Sequence, residues 1–362
     1  MEKIKVGILG ATGMVGQIYV NRLSNHPDFE ITYLAASPES AGKTYEIAVR
    51  DKWTLDSDMP ESVRNLVVGD ANKIDDTIGK CQILFSACEF DKGKTRLMEN
   101  IYATLGFLVI SNDSAHRWTE DIPMIIPEVN HSHLRIIDEQ RKKHTGNGFI
   151  VVKPNCSLQS YLTPIYALNK AGYEVDRLIV KTMQATSGAG LKLPALRMID
   201  NVETHIEGEN EKSENEPLKI LGTIENGRIV NYSGMRISAQ CNRVNVTHGH
   251  TALCSAGFRD KAPRLEEIID IWNNFRSLPQ ELQLHSAPEN PLIYTSEKGR
   301  PQPRKDRNNG NGMSITLGNL RKDNVLDIQF VGLSHNTIRG AAGGAILIAA
   351  LLKARGYLDN LN

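Results

Sequence analysis

Short apolar runs that end in glycine or serine alternate with helically spaced apolar positions through the first 150 residues. Residues 5–9 (Lys-Val-Gly-Ile-Leu) run unbroken into a glycine cluster, the mark of a strand buried on both faces. Residues 14–24 place Met14, Val15, Ile18, Tyr19 and Leu23 on one helical stripe. Further strands are predicted at residues 30–35, 82–86 and 107–111. Strand, helix, strand in this order implies right-handed βαβ units. The fold class expected is α/β: a Rossmann-type doubly wound parallel sheet with an inserted α+β catalytic and dimerisation domain.

The pattern changes near Gly148. Residues 149–152 read as a strand, 153–155 as a turn and 157–169 as a helix. Long strands follow at 177–185 and 243–246, separated by a stretch dense in Glu, Asn and Lys. That stretch, residues 203–217, reads as an exposed loop or helix edge. Residues 325–333 form another strand and 337–356 a closing helix. The division predicted is a nucleotide domain of residues 1–153 plus 336–362, and a catalytic domain of residues 154–335.

Composition narrows the function. A length of 362 residues suits two domains of ordinary size. With 42 basic and 42 acidic residues, the chain has no broad footprint for nucleic acid or a membrane surface. Five cysteines, an odd number without a C-x-x-C pair, read as reduced thiols. The start offers no hydrophobic leader, and the apolar stretch 340–352 is too short to span a bilayer. A cytoplasmic protein is expected.

Three constellations carry chemistry. Gly10-Ala11-Thr12-Gly13-Met14-Val15-Gly16 sits between strand and helix, where glycines let backbone amides approach a pyrophosphate. The second strand ends at Ala36, without the acid that usually holds an NAD ribose; Ser37, Ser40 and Lys43 follow, which favours the 2′-phosphate of NADP. In the opposing reading, these residues form only a polar turn and Glu39 reaches the ribose. Pro154-Asn155-Cys156-Ser157 places a cysteine at a helix start, where a thiolate is stabilised. Arg243 suits a carboxylate or phosphate, and His250 follows the turn at Gly249 as a general acid/base. His248 and His250 lack a third ligand at metal-binding spacing, so no metal is expected.

These residues resemble the aspartate-semialdehyde dehydrogenase family, in its archaeal and fungal branch. Matching segments include residues 7–16, 111–117, 126–130, 154–157, 182–185, 187–190, 241–244, Gly249-His250, Gly312-Met313 and 334–343. The resemblance implies Cys156 as nucleophile and His250 as the acid/base that takes its proton and steadies the tetrahedral intermediate. Gln184 would orient the acyl group. Arg243, seven positions before His250, would bind the substrate carboxylate, and Glu209 its amino group. Lys212, Arg117 and Asn112 would hold phosphate, with Asn155 beside the nucleophile. Gly10, Thr12, Gly13, Met14, Val15, Ser187, Gly188 and Asn336 would line the NADP site, with Asn336 near the nicotinamide. The activity implied is NADPH-dependent reduction of aspartyl phosphate to aspartate semialdehyde, with release of phosphate, in lysine, threonine and methionine biosynthesis. A homodimer or homotetramer is implied.

The chain departs from the family pattern in three places. Leu158-Gln159 stands where a threonine is common, residues 191–195 replace a Tyr-Pro-Gly turn, and Val244-Asn245-Val246 replaces Val-Pro-Val. None removes a catalytic group. Three rival readings remain. A malonyl-CoA reductase shares Cys156, Arg243 and His250, but has no substrate amine for Glu209 to receive. An N-acetyl-glutamyl-phosphate reductase differs more around the cysteine and histidine. An inactive nucleotide-binding paralogue would have no need of Cys156, Gln184, Arg243 and His250 together.

Overall fold

The structure, a computed structural model, describes residues 2–143, 146–192, 198–359 and 361; Leu193, Pro194 and Ala195 of the departing 191–195 segment lie outside them. Strands β1 (Ile4–Leu9), β2 (Phe29–Ala36), β3 (Val68–Asp70), β4 (Ile83–Ser86), β5 (Leu108–Ser111) and β6 (Phe149–Val152) form one parallel sheet in the order β3-β2-β1-β4-β5-β6. The four residues of each of β4, β5 and β6 are all buried, as continuous apolar runs between two helical layers require. The order reverses beside β1, which leaves a crevice at the carboxyl ends of the strands.

Helices of nine or more residues are numbered α1 (Met14–Leu23), α2 (Lys92–Thr104), α3 (Leu162–Lys170), α4 (Glu209–Ile220), α5 (Leu265–Asn274) and α6 (Gly343–Ala354). Apolar residues of α1 and α6 share one core with β1 and β2. Met98 and Tyr102 of α2 pack on the opposite face.

The other strands are β7 (Val175–Gln184), β8 (Thr223–Glu225), β9 (Arg228–Val230), β10 (Arg236–Arg243), β11 (His250–Phe258), β12 (Leu292–Tyr294), β13 (Ile315–Lys322) and β14 (Ile328–Ser334). All but the β8-β9 hairpin join a mixed sheet, β10-β7-β11-β14-β13-β12. Its inner face packs with α3 and α5 around Trp272 and Phe330. Register decides what this sheet can do. Arg243 pairs with Gln184 across parallel strands, and His250 opens the antiparallel β11 opposite Ser334. One edge therefore gathers Gln184, Arg243, His250 and the turn that leads to Asn336.

Several expected elements come out differently. The helix predicted at 157–169 is two pieces: a 3₁₀ turn, Cys156–Ser160, then α3 after a non-helical Tyr161 at φ −139°. Pro164 lacks an N–H and is tolerated only in a first turn, so the helix begins anew just before it. The closing helix likewise starts with a π turn, Ile338–Ala342, broken at Ala341. The strand predicted at 243–246 ends at Arg243, because Val246 turns its carbonyl to the amide of Thr186 at 2.8 Å. The strand predicted from 325 starts at Ile328, and Val325 is exposed. Residues 209–217 are not an exposed edge: they belong to α4, which buries Glu209, Ser213 and Glu216 at helical spacing.

A glycine seats the 3₁₀ turn on the second sheet. A Cβ on Gly332 would stand 1.9 Å from the Ser160 carbonyl oxygen, so only glycine lets β14 pass beneath the segment that carries Cys156. Gly332→Ala is expected to cost about 1–3 kcal/mol by overpacking, read as a lower denaturation midpoint.

Candidate active site

A cleft of about 300 Å³ opens where the two sheets meet, lined by Arg117, Cys156, Gln184, Glu209, Arg243 and Asn336 among others. It also reaches Val15 of the glycine loop, Asn112, Asn155, Ser187, Gly188 and Lys212. A larger cleft of about 610 Å³ between Arg22 and Glu289 contains none of these groups.

Cys156 Sγ lies 3.2 Å from His250 Nε2. Gly249, at φ +103°, makes the left-handed turn that delivers the ring. The amide of Ala185 donates to His250 Nδ1 at 2.9 Å. The neutral ring therefore carries its proton on Nε2 and presents it to sulfur. Burial pushes the His250 pKa down to about 3; Glu209 works against this, while Arg243 and His248 add to it. The Cys156 thiol moves the other way, to about 11, raised by burial and then by Glu209 against the pull of Arg117, Lys153 and Arg243. The low thiol pKa expected from a helix start is thus not found. The turn has only five residues, and Asn155 already caps it through the amide of Ser157 at 2.8 Å. On its far side Cys156 meets Gly340, where an added Cβ would stand 2.8 Å from its own.

Helix α4 supplies two buried carboxylates. Glu209 accepts from Lys212 at 2.8 Å, Asn155 at 2.8 Å and Gln184 at 2.9 Å. Burial alone would raise its pKa; Lys212, Gln184 and Asn155 outweigh that and hold it below the usual carboxylate value. Glu216 accepts from Arg117 at 2.8 Å and from the backbone amide of Asn155 at 2.7 Å. Pro217 cannot donate to the Ser213 carbonyl one turn back, and the Tyr161 hydroxyl takes that acceptor at 3.2 Å. Lys219, one turn on, ties down the carbonyls of Arg117, Thr119 and Ile122 at 2.6–2.9 Å.

The nucleotide end fits a dinucleotide. Gly13 precedes α1 without a side-chain cap, so the amides of its first turn stay open to an anion. Gly10 sits at φ +83°, and a Cβ there would lie 2.4 Å from the Ala87 carbonyl oxygen. Asn336 accepts from the Gly249 amide and donates to Ser187 Oγ, both at 2.9 Å, which fixes the edge facing Val15. Ser37, Ser40 and Lys43 lie outside the cleft, in the turn that follows β2. Ser37 and Lys43 are exposed; Ser40 is buried, its amide bonded to the Ser37 carbonyl at 2.9 Å.

Comparison with known proteins identifies the family. Residues 5–137 match the family model described as semialdehyde dehydrogenase, NAD binding domain, and residues 163–339 match semialdehyde dehydrogenase, dimerisation domain. An aspartate-semialdehyde dehydrogenase of Methanothermobacter thermautotrophicus is 43% identical over 96% of this chain and 99% of its own length. The chain belongs to the aspartate-semialdehyde dehydrogenase family. The crystal structure of the Candida albicans family member with NADP superposes at a TM-score of 0.89, with 36% identity, 98% of this chain and 100% of that one. A malonyl-CoA reductase (NADP) of Metallosphaera sedula is also similar, 38% identical over 98% of this chain and of its own length.

Within this family member, sequence reasoning overlooked Glu216, Lys219 and Lys153. The signal for the first was present: Glu209, Ser213, Glu216 and Ile220 recur at i, i+4, i+7 and i+11, a helical stripe hidden by polar composition. Glu216→Ala leaves the Arg117 guanidinium buried without its carboxylate. The expected cost is about 3–5 kcal/mol in a denaturant titration, with weaker binding of inorganic phosphate.

Proposed function

We propose that this chain is an NADP-dependent aspartate-semialdehyde dehydrogenase, which converts L-aspartyl-4-phosphate to L-aspartate-4-semialdehyde and phosphate through a thioester on Cys156. The observation that carries this reading is Glu209: an ionised, buried carboxylate in the cleft that holds the cysteine, where a substrate ammonium finds its counter-charge.

Arg243 faces the same cleft, anchored by an N–H to the Ala185 carbonyl at 2.9 Å, and its fork suits the substrate α-carboxylate. Arg117 and Lys212, with Asn112, supply the positive and polar wall for phosphate. Cys156 attacks the acyl carbon, the S–C bond forming as the acyl C–O bond breaks, and the thiol proton departs with phosphate. NADPH, when bound, would supply hydride to the thioester carbon, after which the C–S bond breaks to release the aldehyde and return sulfur to Cys156. His250 holds its proton at Nε2 beside sulfur, in position to hydrogen-bond first the thiolate and then the oxyanion of the tetrahedral centre. To accept the thiol proton, the ring would have to turn Nδ1–H against the Ala185 amide. The Ala185 amide thus supports a donor role for His250 in the resting site. Gln184, bonded to Glu209, orients the acyl group, and Gly13, Met14 and Val15 receive the pyrophosphate. Ala36 at the end of β2, with Ser37 and Lys43 exposed beyond it, supports NADP over NAD.

The outward face of the second sheet carries Ile179, Met183 and Leu253, each at least one-third exposed. This apolar face supports self-association as a homodimer or a dimer of dimers. All five cysteines are unpaired, which supports a reducing compartment.

With aspartate semialdehyde, phosphate and NADP, reduced cofactor should accumulate only when phosphate is present, and NAD should serve poorly. Cys156→Ala should abolish the signal, His250→Gln should lower kcat by about 10²–10⁴-fold, and Glu209→Gln should act mainly on KM for the semialdehyde. A flat trace alongside turnover of malonyl-CoA with NADPH would assign the chain to the reductase that its Metallosphaera relative is named for.

A further inference from the structure

Lys153 follows β6 directly and stands three residues before Cys156. Its side chain is 1% exposed, and its Nζ has no hydrogen-bond partner among the described residues. The stem runs against the start of α6: a Cβ on Gly344 would lie 2.4 Å from Lys153 Cε. A buried, unpaired amine is costly and calls for a reason.

The neighbouring charges supply one. Arg339, in the π turn, holds both oxygens of Glu128 at 2.6 and 2.8 Å, and Arg117 holds Glu216 at 2.8 Å. Lys212 holds Glu209 at 2.8 Å. Around the nucleophile these three cations have carboxylates, and Arg243 donates to the Ala185 carbonyl at 2.9 Å, whereas Lys153 Nζ has no partner among the described residues. The groups that act on Lys153 are Arg339, Cys156, Arg117 and Glu216; those that act on Cys156 are Glu209, Arg117, Lys153 and Arg243, with His250 in contact. The anion that can still arise beside Lys153 is the thiolate.

We propose that Lys153 is a positioning residue for the nucleophile, its buried ammonium serving as the counter-charge of the Cys156 thiolate. The inference rests on the reading of Cys156 as the nucleophile. When Sγ loses its proton the electron pair stays on sulfur, and a proton held on Nζ balances it. Thiol with amine and thiolate with ammonium contain the same number of protons, so the site ionises without gaining net charge. Burial first, and Arg339 second, lower the lysine pKa to about 7, while Cys156 pulls it back up. The amine therefore titrates where the pair can exchange its proton.

The test is the rate at which iodoacetamide alkylates Cys156, followed by peptide mass from pH 6 to 10, in the wild type and in Lys153→Met. The wild-type rate should rise to about pH 7 and then flatten, because the one-proton pair no longer changes with pH. The variant should rise without a break and run about tenfold slower near pH 7, the equivalent of one pKa unit. Its Tm should equal or exceed that of the wild type, since a buried unpaired amine has been removed. A variant that matches the wild type at every pH, or that is slowed by one constant factor throughout, overturns the proposal. If Lys153→Met does not fold, Lys153→Gln is read against the same two profiles. The underlying reading is checked separately: reductase activity must disappear in step with Cys156 modification.

Discussion

Two carboxylates on one face of α4 hold this site together. Glu209 and Glu216 are two turns apart, and between them they reach Asn155 beside the nucleophile, Gln184 on the second sheet and Arg117 from the first. Without these donors each carboxylate would be buried unpaired, and the desolvation of a lone carboxylate exceeds what packing returns. The donors in turn would be unsatisfied without the acids. Helix, cysteine turn and the Arg117 segment therefore form as one unit, and α4 is polar because its buried face is a set of hydrogen-bond partners rather than a core.

The same burial governs the reactive pair. Full burial of His250 and partial burial of Cys156 penalise charge on either, so the resting contact is neutral thiol against neutral imidazole. Reactivity then depends on what compensates a thiolate when it forms: the Nε2–H of His250 at 3.2 Å, and the positive charges of Arg117, Lys153 and Arg243. A pre-ionised cysteine would be exposed to oxidants and stray electrophiles. A neutral one gives less away and ionises in a site already built to receive it.

Glycines permit the close approaches that this arrangement needs. Gly340 lies against Cys156, Gly332 under Ser160 and Gly249 ahead of His250. Gly340 sits in the π turn and Gly249 in the turn into β11, while Gly332 lies within β14 where the 3₁₀ turn rests on it. The breaks in the helices expected at 157–169 and 337–356 are the places where backbone gives way to chemistry.

Much was legible in the sequence because it is written in local order. Continuous apolar runs with a glycine loop determined the parallel sheet and its nucleotide crevice, since a strand buried on both faces has no polar positions to alternate. Cys156, Gln184, Arg243 and His250 were legible as a family pattern, and strand register then set Arg243 beside Gln184 and started β11 at His250. What the sequence alone could not decide depends on contacts between distant residues. Composition made α4 look like a solvated edge, because the desolvation of Glu209 and Glu216 is offset only by Asn155, Gln184 and Arg117, which the fold brings from elsewhere. The protonation of Cys156 and His250 is of the same kind. A helix start argued for a thiolate, but burial among groups as distant in the chain as Cys156, His250 and Gly340, and one backbone amide on His250 Nδ1, decided for the neutral pair. Electrostatics sums over three-dimensional neighbours, and only the folded chain supplies them.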